Sequence, residues 1–109
     1  MKLLFQNQNL HNLVMSKEKL KKRFGDMCAK KVGMRISDLI AAENFGMLKE
    51  LPGGWHPLDG KRKGEWAADV HGGMRLVVEP HGELVDPAKR HIEFISVKEV
   101  LIVSIENYH

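Results

Sequence analysis

Trp66-Ala67-Ala68-Asp69-Val70-His71-Gly72-Gly73-Met74-Arg75-Leu76-Val77-Val78-Glu79 is the stretch that decides the fold class of this chain. Trp66, Ala68 and Val70 alternate with Ala67 and Asp69. Beyond the glycines, Met74, Leu76 and Val78 alternate with Arg75, Val77 and Glu79. A period of two is the mark of a strand with distinct faces, and His71-Gly72-Gly73 between the two runs is a tight-turn signal, so the stretch reads as a β-hairpin. Upstream the period changes. Leu20, Phe24, Met27/Cys28, Val32, Ile36 and Leu39/Ile40 recur every three to four residues, with lysines and arginines between them. That pattern predicts a long amphipathic helix over about 16–43 with Ser16 as N-cap. Gly25 and Gly33 lie inside it at a cost of ~1 kcal/mol each relative to Ala, and a kink or break is expected near Gly33.

Before the helix, Leu3-Leu4-Phe5 reads as a first strand ended by four amides, with one or two helical turns over 8–14. After it, Asn44 caps a short turn through Phe45, Met47 and Leu48 that Leu51-Pro52-Gly53-Gly54 stops. Residues 80–96, with two prolines and a glycine, read as a long surface connection. Val97 to Ile105 is apolar at both parities, which predicts a central strand covered on each side. Helices early and strands late make an α+β domain over 1–109: a small antiparallel β-sheet with the long helix packed on one face. Trp55 and Trp66 are expected in the core, with Met34 and Met47 as filler and Cys28 as a small buried hydrophobe.

The chain has 109 residues, 43% hydrophobic and 28% charged, enough for one core and a charged exterior. No apolar run approaches the ~18 residues of a membrane span, and the start reaches amides too soon for a signal peptide. A lone cysteine leaves no disulfide framework or thiolate cluster, so a reducing, cytoplasmic setting is expected. The net charge of +3 is unevenly spread. Residues 16–35 hold eight Lys/Arg against two acids, and 61–75 hold four against two, while 36–60 and 76–109 are acidic. Two basic islands on acidic ground point to nucleic acid or an acidic protein as partner. The six histidines lack metal-ligand spacing, and there is no phosphate loop or dinucleotide fingerprint, so neither a metal nor a cofactor is expected.

Reactive side chains gather between Trp55 and Trp66 and at Glu106-Asn107-Tyr108-His109. His56-Pro57-Leu58-x-Gly60-x-Arg62-x-Gly64-x-Trp66, then Arg75-Leu76-Val77-Val78, then Asn107-Tyr108-His109, resembles the HigB group of the RelE/ParE toxin superfamily. The likeness covers about 50–79 and 99–109 in words, and the basic first half in pattern and charge. It implies a RelE-like fold and a toxin of a toxin–antitoxin pair: an endoribonuclease that cuts mRNA at the ribosome without metal. Its implied partner is a helix-turn-helix, HigA-like antitoxin, through which alone DNA would be met. Carried over by motif, the catalytic residues are His56, Arg75, Tyr108 and His109. The two histidines would exchange protons, Arg75 would clamp the phosphate, and Tyr108 would orient or stack on a base. Lys61, Arg62 and Lys63, with Lys21, Lys22, Lys30 and Lys31, would hold flanking phosphates.

Two positions depart from the family pattern. Asn107 stands where Asp is usual, so no proton can be taken there, and Asp59 stands where Lys is common, placing negative charge in a phosphate's path. Glu106, next to Asn107, points to the other face of a strand. Two further readings carry over with the fold: a non-catalytic inhibitor of DNA gyrase, as in the ParE branch, and a degenerate toxin that only binds its partner.

Overall fold

A computed structural model describes residues 1–82, 85 and 93–108. Among these, strands β1 (Lys2–Phe5), β2 (His56–Pro57), β3 (Trp66–Asp69), β4 (Met74–His81) and β5 (Glu99–Asn107) form one sheet in the order β1-β5-β4-β3-β2. Helices α1 (Gln8–Val14), α2 (Lys17–Phe24) and α3 (Asp26–Ala41) precede β2. The class is α+β, as the change of period predicts, but the sheet is not wholly antiparallel: β1 runs parallel to β5, Lys2 opposite Glu99 and Phe5 opposite Ile102. The Met1 ammonium beside this strand donates to the carbonyls of Leu39, Ile40 and Ala42 at 2.7–3.1 Å. Those carbonyls sit at the end of α3, where a helix leaves acceptors unpaired and favours positive charge.

The expected long helix is two helices, and the break falls at Gly25 rather than Gly33. Gly25 adopts φ +89° and ψ 167°, a conformation open essentially to glycine alone. The apolar period runs through the break in phase because α2 and α3 bury their stripes against one core. Gly33 stays helical, with no atom within 4 Å of where a Cβ would stand. Ser16 does cap α2, its Oγ accepting from Lys19 N at 3.2 Å, and Asn7 caps α1 through Leu10 N at 2.8 Å. The buried stripe of α3 is Cys28, Ala29, Val32, Ile36 and Leu39. Met34, expected as filler, is 45% exposed, and Met27 and Ile40 also face out, because they fall beside that stripe. Asn44 precedes the 3-10 turn at Phe45–Glu50, but its side chain makes no capping bond there.

The helices cover the sheet face that carries Trp66, Ala68, Leu76, Val78, Val100 and Ile102. Phe45, Trp66 and Phe94 pack edge-to-face and tilted, with centroids 5.3–5.9 Å apart. Both tryptophans are core residues, as expected. Burial pushes the Cys28 thiol above its ordinary range, in keeping with an inert packing role.

The stretch read as a loop from Pro80 begins as strand: Pro80 pairs with Val100 and His81 with Glu99. Proline is tolerated there because β3 pairs only as far as Val78, so β4 needs no donor on that side. Residues 83, 84 and 86–92 of that expected loop lie outside the described residues.

β5 holds the feature that places the site. Val77 pairs with Ser104 but Val78 pairs with Ile102, so Val103 is an extra residue in the ladder. A bulge of this kind switches which parity faces which side. Val100, Ile102 and Ile105 therefore all belong to the helix-side core, and Ser104 and Glu106 turn to the open face. The expectation that both faces of this strand are covered is corrected accordingly. Its apolar residues at both parities reflect a change of parity at Val103, and Leu101 and Val103 are only half-buried.

Candidate functional site

The hairpin register sets Asp69 opposite Arg75, and Arg75 opposite Glu106. One step along the same face, His56, Ala67, Val77 and Ser104 form a second row. Directly paired strand residues point to the same side, so the open face gathers His56, Asp69, Arg75, Ser104 and Glu106. Tyr108 joins them. Its backbone N–H donates to Gly73 O at 3.2 Å, and its hydroxyl donates to Asp69 Oδ1 at 3.0 Å. The Arg75 guanidinium lies 5.4 Å from the Tyr108 ring centroid, within cation–π range. The bond to Asp69 and that carboxylate's charge push the Tyr108 phenol up, so it stays protonated at neutral pH.

His56 is exposed at the edge strand β2. Its Nδ1 lies 2.9 Å from Gly54 O, and a carbonyl only accepts, so Nδ1 carries the hydrogen. Nε2 is thereby left as the ring's basic nitrogen. Two strand spacings, ~10 Å, and a two-residue step separate its backbone from that of Arg75. That interval is too wide for a direct side-chain bond and is of the size of a nucleotide.

A buried arginine on α3 braces this end of the sheet. Arg35 Nε donates to the backbone carbonyl of Asp69 at 3.2 Å. Gly53, at φ +113°, passes so close that a Cβ there would stand 2.3 Å from Arg35 Nε. Gly53 O in turn accepts from Asp69 N at 2.9 Å. The Pro52-Gly53-Gly54 turn, read in sequence only as a stop, thus holds both Asp69 and, through Gly54 O, His56.

The charges are arranged otherwise than expected. Arg62 ends the 3-10 turn Gly60–Arg62 that follows Asp59, and its guanidinium forks onto Glu106, Nη1 to Oε2 at 2.5 Å and Nη2 to Oε1 at 2.9 Å. It also holds Glu65 Oε1 through Nε at 2.8 Å and Nη2 at 2.7 Å. Arg75 Nη2 donates to Glu106 Oε2 at 3.0 Å, and Ser104 Oγ to Glu106 Oε1 at 2.5 Å. Arg75 pairs here because Glu106 is its cross-strand partner. Its Nε is buried and bonds nothing among the described residues. Bonded chiefly by Arg62, the Glu106 carboxyl is held down at about 2, and the Arg62 guanidinium is held charged well beyond its ordinary range. Ser104, Asp69 and Glu65 are thus neighbours of the motif residues that motif reading passed over, and Glu106, set aside in sequence as pointing away from Asn107, lies on the face that carries Arg75. The signal was the parity of Glu106 with Tyr108, two residues on.

Lys61 and Lys63 are exposed on the Arg62 loop. Lys21, Lys22, Lys30 and Lys31 lie on α2 and α3, across the sheet from Arg75 and Tyr108, so the structure does not bring them to the same place. His109 lies outside the described residues. No three His, Cys, Asp or Glu among the described residues are grouped to hold a metal ion, and no helix is long and apolar enough to cross a membrane.

A small mixed sheet with helices packed on one face matches the fold of a RelE/ParE-like toxin. The solved structure of a YoeB/ParE toxin from Agrobacterium tumefaciens is similar over 100% of both chains, with a TM-score of 0.55 and 18% sequence identity. No protein-family model matches this sequence, and no curated protein does.

Proposed function

We propose that this chain is the toxin of a toxin–antitoxin pair and acts as a metal-independent endoribonuclease of HigB type on ribosome-bound mRNA. The observation that supports the reading is that His56, Arg75 and Tyr108 lie on the sheet face away from α1, α2 and α3. In such a reaction the 2′-oxygen attacks the adjacent phosphorus and the bond to the 5′-oxygen breaks. The products are a 2′,3′-cyclic phosphate and a 5′-hydroxyl. One histidine takes the 2′-hydroxyl proton and the other gives a proton to the leaving oxygen. His56 Nε2 is suited to either transfer, and the family motif gives His109 the other. Arg75 meets the charge that builds on phosphate oxygens, in a fork geometry matched to them. Tyr108 offers a ring for base stacking.

Lys61 and Lys63, exposed on either side of Arg62, would hold phosphates flanking the cut. The lysines of α2 and α3, on the other side of the sheet, suit a second surface of a large RNA such as the ribosome, or an acidic segment of a HigA-like antitoxin.

One observation favours a second reading. Glu65, Asp69 and Glu106 outnumber Arg62 and Arg75 in the cluster, which weakens attraction for RNA and suits a non-catalytic inhibitor of gyrase or a partner-binding relic. Mapping transcript 5′ ends after induction, together with a DNA supercoiling assay, separates them. In-frame transcript cuts are expected. Loss of supercoiling without cuts would transfer the protein to the gyrase-inhibitor class, and neither effect would leave it a partner-binding module.

A further inference from the structure

Three donor groups converge on a single carboxylate at the centre of the polar face. Arg62 supplies two nitrogens, Arg75 one, and Ser104 its hydroxyl, all within 2.5–3.0 Å of Glu106 oxygens. Two guanidinium groups and a hydroxyl, spaced around one small anion, form a binding geometry that suits a phosphate as well as a carboxylate, since both present paired oxygens to an arginine fork. We propose that Arg62, Arg75 and Ser104 form a phosphodiester-binding site which Glu106 fills in the free protein and which an RNA phosphate enters by displacing it. This rests on the nuclease reading for the identity of the ligand, and extends it by joining Arg62 to Arg75 at one phosphate, adding Ser104 to them, and giving the site an internal competitor.

The donors are held for this role independently of Glu106. Arg62 keeps two bonds to Glu65 Oε1 when Glu106 leaves. Arg75 keeps its place over the Tyr108 ring. Tyr108 is itself held by Asp69 and by Gly73 O. The site thus stays assembled while its occupant is exchanged. Glu106 lies near the end of β5, and its side chain is 25% exposed, so a rotation about its side-chain bonds carries the carboxylate towards solvent without disturbing the ladder. While it stays, both arginines are neutralised, and a phosphate meets a carboxylate where it needs a cation. The free toxin is therefore restrained by its own side chain, and RNA has to compete with an anion at very high local concentration.

The test is binding, not cleavage. The probe is a trinucleotide with 2′-deoxy sugars, which carries the diester but lacks the attacking hydroxyl. Its affinity is measured for the native chain, Glu106→Gln and Arg62→Ala. Glu106→Gln keeps the shape and removes the charge, and is expected to bind about tenfold more tightly. Arg62→Ala is expected to bind about tenfold more weakly. Equal or weaker binding by a folded Glu106→Gln would overturn the proposal and make Glu106 a residue that positions the arginines. Should that variant not fold, 15N spectra of the native chain decide. Arg62 and Arg75 Nε–H signals that move as the probe saturates support the site, and signals that stay fixed refute it. Tighter binding by Glu106→Gln in a protein that cleaves no transcript would keep the phosphate site and remove the nuclease reading alone.

Discussion

Arg75 and Glu106 stand directly opposite each other on the two longest strands of the sheet, with Arg75 Nη2 3.0 Å from Glu106 Oε2. A cross-strand ion pair on a solvated face is ordinarily worth only ~0.2–1 kcal/mol. Here Arg62, from the loop before β3, closes on the same carboxylate. The pair becomes a three-membered network that ties that loop to the end of the chain.

The network makes stability depend on pH in the acid range. The Glu106 carboxyl is depressed to about 2 in the folded chain against an ordinary 4.5, so its contribution is complete above about pH 4.5. It is lost as pH falls from there towards 2. Discounted for solvent screening, roughly 2 kcal/mol is at stake. Thermal unfolding between pH 2 and pH 6 should show the native chain losing more stability than Glu106→Gln over that window. Parallel curves would mean that the carboxylate contributes nothing to folding.

Arg75→Ala and Tyr108→Phe separate two roles on one face. Under the proposed function, removing the guanidinium takes away the phosphate clamp, and ribosome-dependent cleavage should fall at least ~10²-fold. Tyr108→Phe keeps the ring but loses the bond to Asp69, and a loss of only ~10-fold or less is expected from a looser ring. Primer-extension rates on a programmed ribosome check both, and an Arg75→Ala variant that cleaves normally would remove the assignment.

The two helical glycines should respond in opposite directions to the same substitution. Gly33→Ala meets open space in a regular helix and should stabilise the chain by ~0.5–1 kcal/mol. Gly25→Ala forces a side chain into a glycine conformation between α2 and α3, and should cost ~1–2 kcal/mol. Urea midpoints of the two variants read both signs.

Leu39 is fully buried on α3 among the side chains that join helices to sheet. Leu39→Ala should cost ~2–5 kcal/mol, the spread depending on how far the cavity closes. Chemical denaturation measures it. A cost under ~1 kcal/mol would mean that α3 is not seated as described.

The hairpin, the first strand and the amphipathic stripe were legible in the sequence because each is a local period that burial then enforces. The helix break was not, because Leu20, Phe24 and Cys28 keep their spacing across Gly25 and periodicity alone ranks Gly25 and Gly33 equally. Met34 misled for a related reason: it lies one position beside the buried stripe. Motif reading singled out His56, Arg75 and Tyr108; the register sets His56 and Arg75 on one face, and Tyr108 is held beside Arg75 by Asp69 and Gly73. That reading overlooked Ser104 and set Glu106 aside, because their orientation depends on one inserted residue in β5, and a parity count from Val100 and Ile102 then predicts the wrong side. The parallel pairing of β1 with β5 links residues nearly a hundred positions apart, and no local pattern encodes it.

Val103 therefore fixes more than a kink. Deleting that one valine would remove the bulge and let Ser104 follow Ile102 in a regular ladder with their faces unchanged; pairing straight through Val103 would instead exchange inside for outside from Ser104 onward, driving a carboxylate and a phenol under the helices and Ile105 into water. Any comparison of this terminus with other sequences has to carry a one-position offset there, or it will match reactive side chains with packing ones.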